Sequence, residues 1–183
     1  MAEGLEILFG YIILVALLVF IMKKIFLQCF TRGIPGDGRC LFRSVVHGAC
    51  LREGQPSPGE SYGRQLADEL RAKVAEEFIK RRADSEWFVE GDFDTYVRQI
   101  RQPHIWGGEP ELLMCSHVLQ APITVFMRDT KTNRLKVIVE YGQEYGGTEN
   151  PICVLYNGYG HYDALQNPTF QVPKTLNAKR FYQ

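Results

Sequence analysis

Cys40 follows the glycine-rich run Gly36-Asp37-Gly38-Arg39 and opens the stretch Leu41-Phe42-Arg43-Ser44-Val45. A thiol at the junction of a turn and a helix-compatible segment is placed to act as a nucleophile. Free cysteine is only a few per cent thiolate near neutral pH, and a helix amino terminus together with an imidazolium lowers its pKa. The two glycines let the turn adopt positive φ and bring bare backbone N–H groups close to a substrate carbonyl. N–H groups around Gly38 and Arg39 could then form an oxyanion hole, worth roughly 10²–10³ in rate per donor. Cys50 and Cys115 fall in helical stretches and Cys153 in a strand, none with such a turn ahead of it. Inert buried thiols are the ordinary condition there.

Four histidines could serve as the base. His47 lies two helical turns beyond Cys40, about 10 Å along a regular helix. His104 follows a proline in a loop and His117 is mid-helix. His161 follows Gly158-Tyr159-Gly160 and begins a strand, a rigid element that can hold a ring in register. Asp163 is two residues on, so in a strand its side chain shares the face of His161. A carboxylate there can accept a ring N–H, fix the tautomer and stabilise the imidazolium; the alternative is a surface acid on a strand. Asp37 also has two readings. It could brace the Gly-Asp-Gly turn through an Asx-type bond, or it could interact with the histidine, and the sequence leaves both open.

Three separated motifs stand in one order: Gly36-Asp37-Gly38-Arg39-Cys40-Leu41-Phe42-Arg43-Ser44, Trp106-Gly107-Gly108-Glu109-Pro110-Glu111-Leu112 and Gly160-His161-Tyr162-Asp163. In these motifs, and over residues 34–166, the chain resembles the ovarian-tumour (OTU) family of cysteine deubiquitinases, its compact single-domain members most of all. The resemblance implies an α+β, papain-like cysteine protease fold with a small mixed β-sheet packed between helices. It makes Cys40 the nucleophile and His161 the base, and it counts Asp37 as part of the catalytic site. Ubiquitin or polyubiquitin conjugates are the partners it implies. Trp106, Gly107 and Gly108 could line a slot for ubiquitin's Gly-Gly tail, because glycines permit close backbone approach; the other reading is a core tryptophan beside a tight turn.

The elements that must hold these residues follow from periodicity. Cys40 to about Leu51 reads as a helix with Leu41 and Val45 inward. The best helix runs roughly from Tyr62 to Arg82, with Leu66, Leu70, Val74 and Phe78 recurring every fourth residue, the spacing of one buried stripe. Lys80-Arg81-Arg82 at its end complements the helix dipole. Phe93, Tyr96, Val97 and Ile100 mark another helix, and one more starts near Glu109-Pro110 with proline in its first turn. Strand candidates then follow: residues 123–126, 135–141, 152–156 and 161–165, rich in β-branched and aromatic side chains. Helices first and strands afterwards predict an α+β or three-layer mixed fold.

Twenty-one basic and twenty-one acidic residues cancel in this 183-residue chain, which argues against nucleic acid as a partner. Five cysteines without a repeating spacing argue against a disulfide framework and for a reducing compartment. No Cys-x-x-Cys occurs, so neither a zinc site nor any other metal or cofactor is expected. Residues 1–33 stand apart from the catalytic segment 34–166 and the tail 167–183. From Ile7 to Met22 there is no charge, and twelve of sixteen residues are Leu, Ile, Val or Phe. Sixteen helical residues span about 24 Å against a hydrocarbon core of about 30 Å, with Lys23 and Lys24 able to snorkel. The expectation is a membrane-anchored thiol isopeptidase with its catalytic domain in the cytoplasm. The alternatives are a soluble cytoplasmic enzyme, or a catalytically weak ubiquitin-binding or membrane adaptor protein on the same fold.

Overall fold

The computed structural model describes residues 11–18, 31–146 and 150–166. Residues 11–18 are helical (α1). There follow β1 (Thr31–Arg32), α2 (Cys40–Arg52), α3 (Glu60–Lys80), α4 (Arg82–Ser85) with a 3₁₀ turn over Glu86–Phe88, α5 (Phe93–Ile100) and α6 (Glu109–Leu119). The chain then forms β2 (Ile123–Arg128), β3 (Leu135–Tyr141), β4 (Ile152–Tyr156) and β5 (Tyr162–Leu165). The helix boundaries obey ordinary chemistry. Asp92 caps α5 by accepting the Thr95 N–H at 2.8 Å. Pro110 sits in the first turn of α6, where its missing N–H costs nothing.

The strands build one mixed sheet in the order β1-β5-β4-β2-β3. Among the described strands only β2 and β4 run parallel, with Ile123 opposite Ile152 and Val125 opposite Val154. The strand that follows His161, β5, lies between β4 and the two-residue β1, where Arg32 pairs with Ala164. Sheet contacts with helices run through α2, against β4 and β5, and through α6, against β3. Helix α3 packs on α2 and α6, and α5 packs on α3.

Every residue of α2 from Cys40 to Ala49 is buried, because the helix lies between the sheet and α3. Its Leu41, Phe42 and Val45 meet Val74, Phe78, Leu112, Ile123 and Val154 in the main core. A smaller cluster of Cys153, Leu155 and Leu165, with Phe126 and Leu135 against it, takes the alternate positions of the strands. Burial of the large apolar side chains contributes about 1.5–3 kcal/mol each.

Three readings change in detail. The stripe of α3 is Ala67, Leu70, Arg71, Val74, Ala75 and Phe78, with Leu66 only half-buried at its edge. A spacing of strictly four drifts around a helix of 3.6 residues per turn, so the real seam alternates three and four. The connector before Gly33 contains β1, which two residues are too few to announce. β5 begins at Tyr162, one residue after the expected start, because His161 belongs to the turn.

Half of the expected anchor, Ile7 to Met22, lies outside the described residues, as do Lys23, Lys24 and the tail from residue 167. Residues 11–18 are helical with exposed side chains, Tyr11, Ile12, Ile13, Leu14, Leu17 and Leu18 among them. Among the described residues, no helix is long and apolar enough to cross a membrane.

Candidate active site

Cys40 is the first residue of α2, with Arg39 at the N-cap. Its side chain is 1% exposed and lies against the backbone of Tyr162 in β5. Ser44, one turn further along α2, fixes that register by donating its hydroxyl to the Tyr162 carbonyl at 3.1 Å. The helix carrying the thiol and the strand following His161 are therefore stapled at the site itself.

Burial pushes the Cys40 thiol up from its ordinary value, and the Asp37 charge adds to the effect. The backbone N–H groups of Tyr162, Leu41 and Cys40 act the other way. The helix-end stabilisation expected from the sequence is present, but desolvation outweighs it, so the net shift is upward rather than the lowering expected from the helix end. The other described cysteines are pushed up by burial as well, Cys153 to about 12.

His161 Nε2 lies 3.2 Å from Asp163 Oδ1. The same oxygen accepts the Ile34 N–H at 2.9 Å, which anchors the segment leading into the Cys40 turn. An Nε2–H donating to Asp163 leaves Nδ1 as the basic nitrogen. That edge of the ring faces Gly36, where an added methyl would sit 3.6 Å from Nδ1. Asn157 shapes the turn before the histidine: its Oδ1 accepts the N–H groups of Tyr159 at 2.9 Å and His161 at 3.2 Å. The Asn157 N–H closes the turn on the His161 carbonyl at 3.1 Å. The sequence marks this side chain only as part of a turn-rich connector, although Asn is the residue type that builds such turns.

Asp37 Oδ1 accepts the Arg39 N–H at 3.1 Å, the Asx-type brace, and Oδ2 is 3.7 Å from Arg43 Nη1. The Arg39 N–H, one of the two expected oxyanion donors, is thereby engaged. The N–H groups of Gly38 and Cys40 flank it in the same turn. Gly38 has φ of +84°, and a Cβ there would lie 2.5–2.6 Å from the His104 backbone, so only glycine fits.

Trp106 is half-exposed, and its six-membered ring lies over Gly160, where a Cβ would meet it at 3.0 Å. It flanks the turn that carries His161 rather than filling the core. Gly107 packs on Leu41 and Phe42 of α2. The Gly108 N–H donates to Glu111 Oε2 at 2.6 Å, and the other Glu111 oxygen accepts the Tyr96 hydroxyl at 2.5 Å. Burial pushes the Glu111 carboxyl up despite those bonds. His104 meets the turn only through its backbone at Gly38, whereas His47 bonds Ser57 at 2.7 Å and His117 bonds Tyr145 at 2.7 Å, both away from it. Burial holds His47 down at about 4, so it stays neutral at physiological pH. Among the described residues, no group of three or more His, Cys, Asp and Glu side chains is arranged to hold a metal ion.

A thiol at a helix amino terminus and an imidazole oriented by a carboxylate, on elements joined by the Ser44–Tyr162 bond, are the parts a cysteine protease site requires. A family model, OTU-like cysteine protease, matches residues 35–163. The chain belongs to that family. It is 67% identical over 143 residues to the Arabidopsis thaliana OVARIAN TUMOR DOMAIN-containing deubiquitinating enzyme 4, covering 78% of this chain and 45% of that relative. To deubiquitinating enzyme 3 of the same plant it is 31% identical over 155 residues, covering 73% of this chain and 66% of the relative. Among solved structures, the OTU domain of OTUD1 superposes with a TM-score of 0.58 at 24% identity, over 75% of this chain and 85% of that one. The chain thus spans less than half of the first relative and about two thirds of the second.

Proposed function

We propose that this chain is a thiol-dependent deubiquitinase that hydrolyses the isopeptide bond between ubiquitin's terminal glycine and a lysine side chain. The observation that carries the reading is the Asp163–His161 pair, which flanks Tyr162, the residue whose backbone meets both Ser44 and Cys40 of α2. The two Arabidopsis relatives, both named as deubiquitinating enzymes, support the substrate class.

In the first half-reaction His161 Nδ1 takes the Cys40 proton and the sulfur attacks the glycine carbonyl carbon. The oxygen that gains charge is met by the N–H groups of Gly38 and Cys40. As the C–N bond breaks, His161 returns the proton to the departing lysine amine, leaving a thioester on Cys40. In the second half a water gives its proton to His161 and attacks the thioester, releasing ubiquitin's carboxylate and the thiol. Asp163 keeps the ring in the productive tautomer and stabilises the imidazolium in both halves. Asp37 acts through the turn: it bonds the Arg39 N–H. Trp106 forms one wall of the approach, beside the His161 turn, where an extended Gly-Gly tail would pass.

Release of a fluorophore from the carboxyl terminus of ubiquitin tests the reading. The full chain should turn the substrate over, and Cys40→Ala should not. Binding of ubiquitin without turnover in the parent would make the adaptor reading the correct one.

A membrane tether belongs to the same proposal. It is supported by the uncharged run from Ile7 to Met22 and by the exposed apolar side chains of α1. The intact chain should then sediment with membranes and resist alkaline carbonate; release by carbonate would favour the soluble cytoplasmic form.

A further inference from the structure

The Cys40 turn is held from below by two charged side chains of α3. Arg71 is 1% exposed and makes four hydrogen bonds, all to backbone carbonyls. Nη2 donates to Gly38 at 2.6 Å and to Pro103 at 3.3 Å, while Nη1 donates to Ile100 at 3.0 Å and Ile105 at 2.9 Å. The guanidinium lies over the Phe42 ring, 4.3 Å from its centroid. One turn earlier, Asp68 takes a bidentate pair from Arg39, Nε at 2.8 Å and Nη2 at 3.0 Å. Adjacent residues of the turn, Gly38 and Arg39, are thus gripped by residues three apart on one helix face.

Burying a charge is costly, and the position lies in the middle of an apolar stripe where Leu or Met would pack. The guanidinium does what an apolar side chain cannot. The Gly38–Arg39 peptide is pinned at both ends, its carbonyl by Arg71 and its N–H by Asp37. Gly38 is the residue least able to hold a conformation unaided. Its neighbour across the loop is the His104 backbone, which belongs to the same 100–105 segment whose carbonyls Arg71 gathers. One side chain therefore fixes both the turn and the wall it leans on.

We propose that Arg71, assisted by Asp68, is a positioning residue for the oxyanion site, holding Gly38 so that the N–H groups of Gly38 and Cys40 point where substrate charge develops. The role in turnover rests on the deubiquitinase reading above; the mechanical role does not.

The experiment compares Arg71→Lys, Arg71→Met and Asp68→Asn in the full chain. Lysine keeps the charge but cannot span four carbonyls. Ubiquitin–fluorophore turnover should fall about 10²-fold in the Arg71 variants, the cost of a misplaced catalytic group, and about tenfold in Asp68→Asn. The fall should appear in kcat with KM nearly unchanged. Alkylation of Cys40 by iodoacetamide, a displacement that builds no oxyanion, should keep its rate. Amide exchange in residues 36–40 should speed up while β4 stays protected. A kcat within about threefold of the parent in both Arg71→Lys and Asp68→Asn would overturn the inference. So would alkylation falling in step with kcat, which would mark Arg71 as mere scaffold. Asp68 is half-exposed, so its variant keeps the comparison decisive if the Arg71 variants do not fold. Should the parent fail on ubiquitin, the function proposed above fails, and exchange in residues 36–40 still decides whether Arg71 grips the turn.

Discussion

Asp163 offers the most quantitative test of how this site orients its base. One oxygen, Oδ1, receives both the His161 Nε2–H at 3.2 Å and the Ile34 N–H at 2.9 Å. In the Asp163→Asn variant an amide oxygen can stand at the same point and keep both bonds, with the NH₂ taking the place of Oδ2. What the asparagine loses is the charge that stabilises the imidazolium. The side chains of His161 and Asp163 are about a fifth exposed, and two unit charges near 4 Å attract by roughly 1–4 kcal/mol between water and a partly screened surface. Taking the lower half of that range, Asp163→Asn should lose about 5–60-fold in kcat, since about 1.4 kcal/mol is tenfold. Asp163→Ala removes both bonds and orphans the Ile34 N–H, so about 10³-fold is expected from bonds to charged groups of about 1.5–3 kcal/mol each. It should also lower Tm, which the asparagine variant should not. Steady-state kinetics on the ubiquitin–fluorophore substrate, with thermal melts alongside, reads out the series. Equal loss in the two variants would refute the reasoning, because charge rather than orientation would then be what Asp163 supplies.

Gly38→Ala must place a Cβ 2.5–2.6 Å from the His104 backbone at φ of +84°; left-handed strain of about 1–2 kcal/mol plus overpacking of about 1–3 kcal/mol should lower Tm and cut kcat at least about 10²-fold, and wild-type kinetics would show the turn is not rigid. Because burial holds the Cys40 thiol pKa above its ordinary value, the thiolate fraction should grow with pH through neutrality. Iodoacetamide labelling should accordingly rise close to tenfold per pH unit from about pH 6.5 to 8.5, and a plateau already reached near pH 6.5 would reveal a preformed thiolate–imidazolium pair instead. Trp106→Ala removes a half-exposed wall rather than core, so KM should rise several-fold with Tm shifted little; an unchanged KM would remove Trp106 from the substrate path.

The turn before Cys40 and the His161–Asp163 pair were legible because each sits in a motif whose geometry is local. A glycine turn before a helix and a histidine with an acid two residues on carry their geometry in their spacing. The helices from Cys40, Phe93 and Glu109 and the strands at 135–141 and 152–156 were legible for the same reason, through period and caps. What escaped depends on partners distant in sequence. The helix pattern did not single out Arg71, because its carbonyl partners are some thirty residues away in either direction. A cation falling on the stripe between Leu70 and Val74 was the available signal. The engagement of the Arg39 N–H by Asp37 was half visible: the Asx-type brace was one of two readings left open, and its consequence for the turn's other N–H groups needed coordinates. The two-residue β1 was invisible, since its pairing with β5 rather than its composition makes it a strand. The direction of the Cys40 shift could not be read either, because desolvation reflects the depth of the whole α2 and not the turn before it.

The most direct test of the central claim is covalent capture. Ubiquitin bearing a carboxyl-terminal electrophile, incubated with the full chain, should give a one-to-one adduct, and peptide mapping should place the bond on Cys40. His161→Ala should slow the reaction sharply and Cys40→Ala should abolish it. An adduct on Cys50 or another cysteine, or no adduct from a folded chain, would contradict the account.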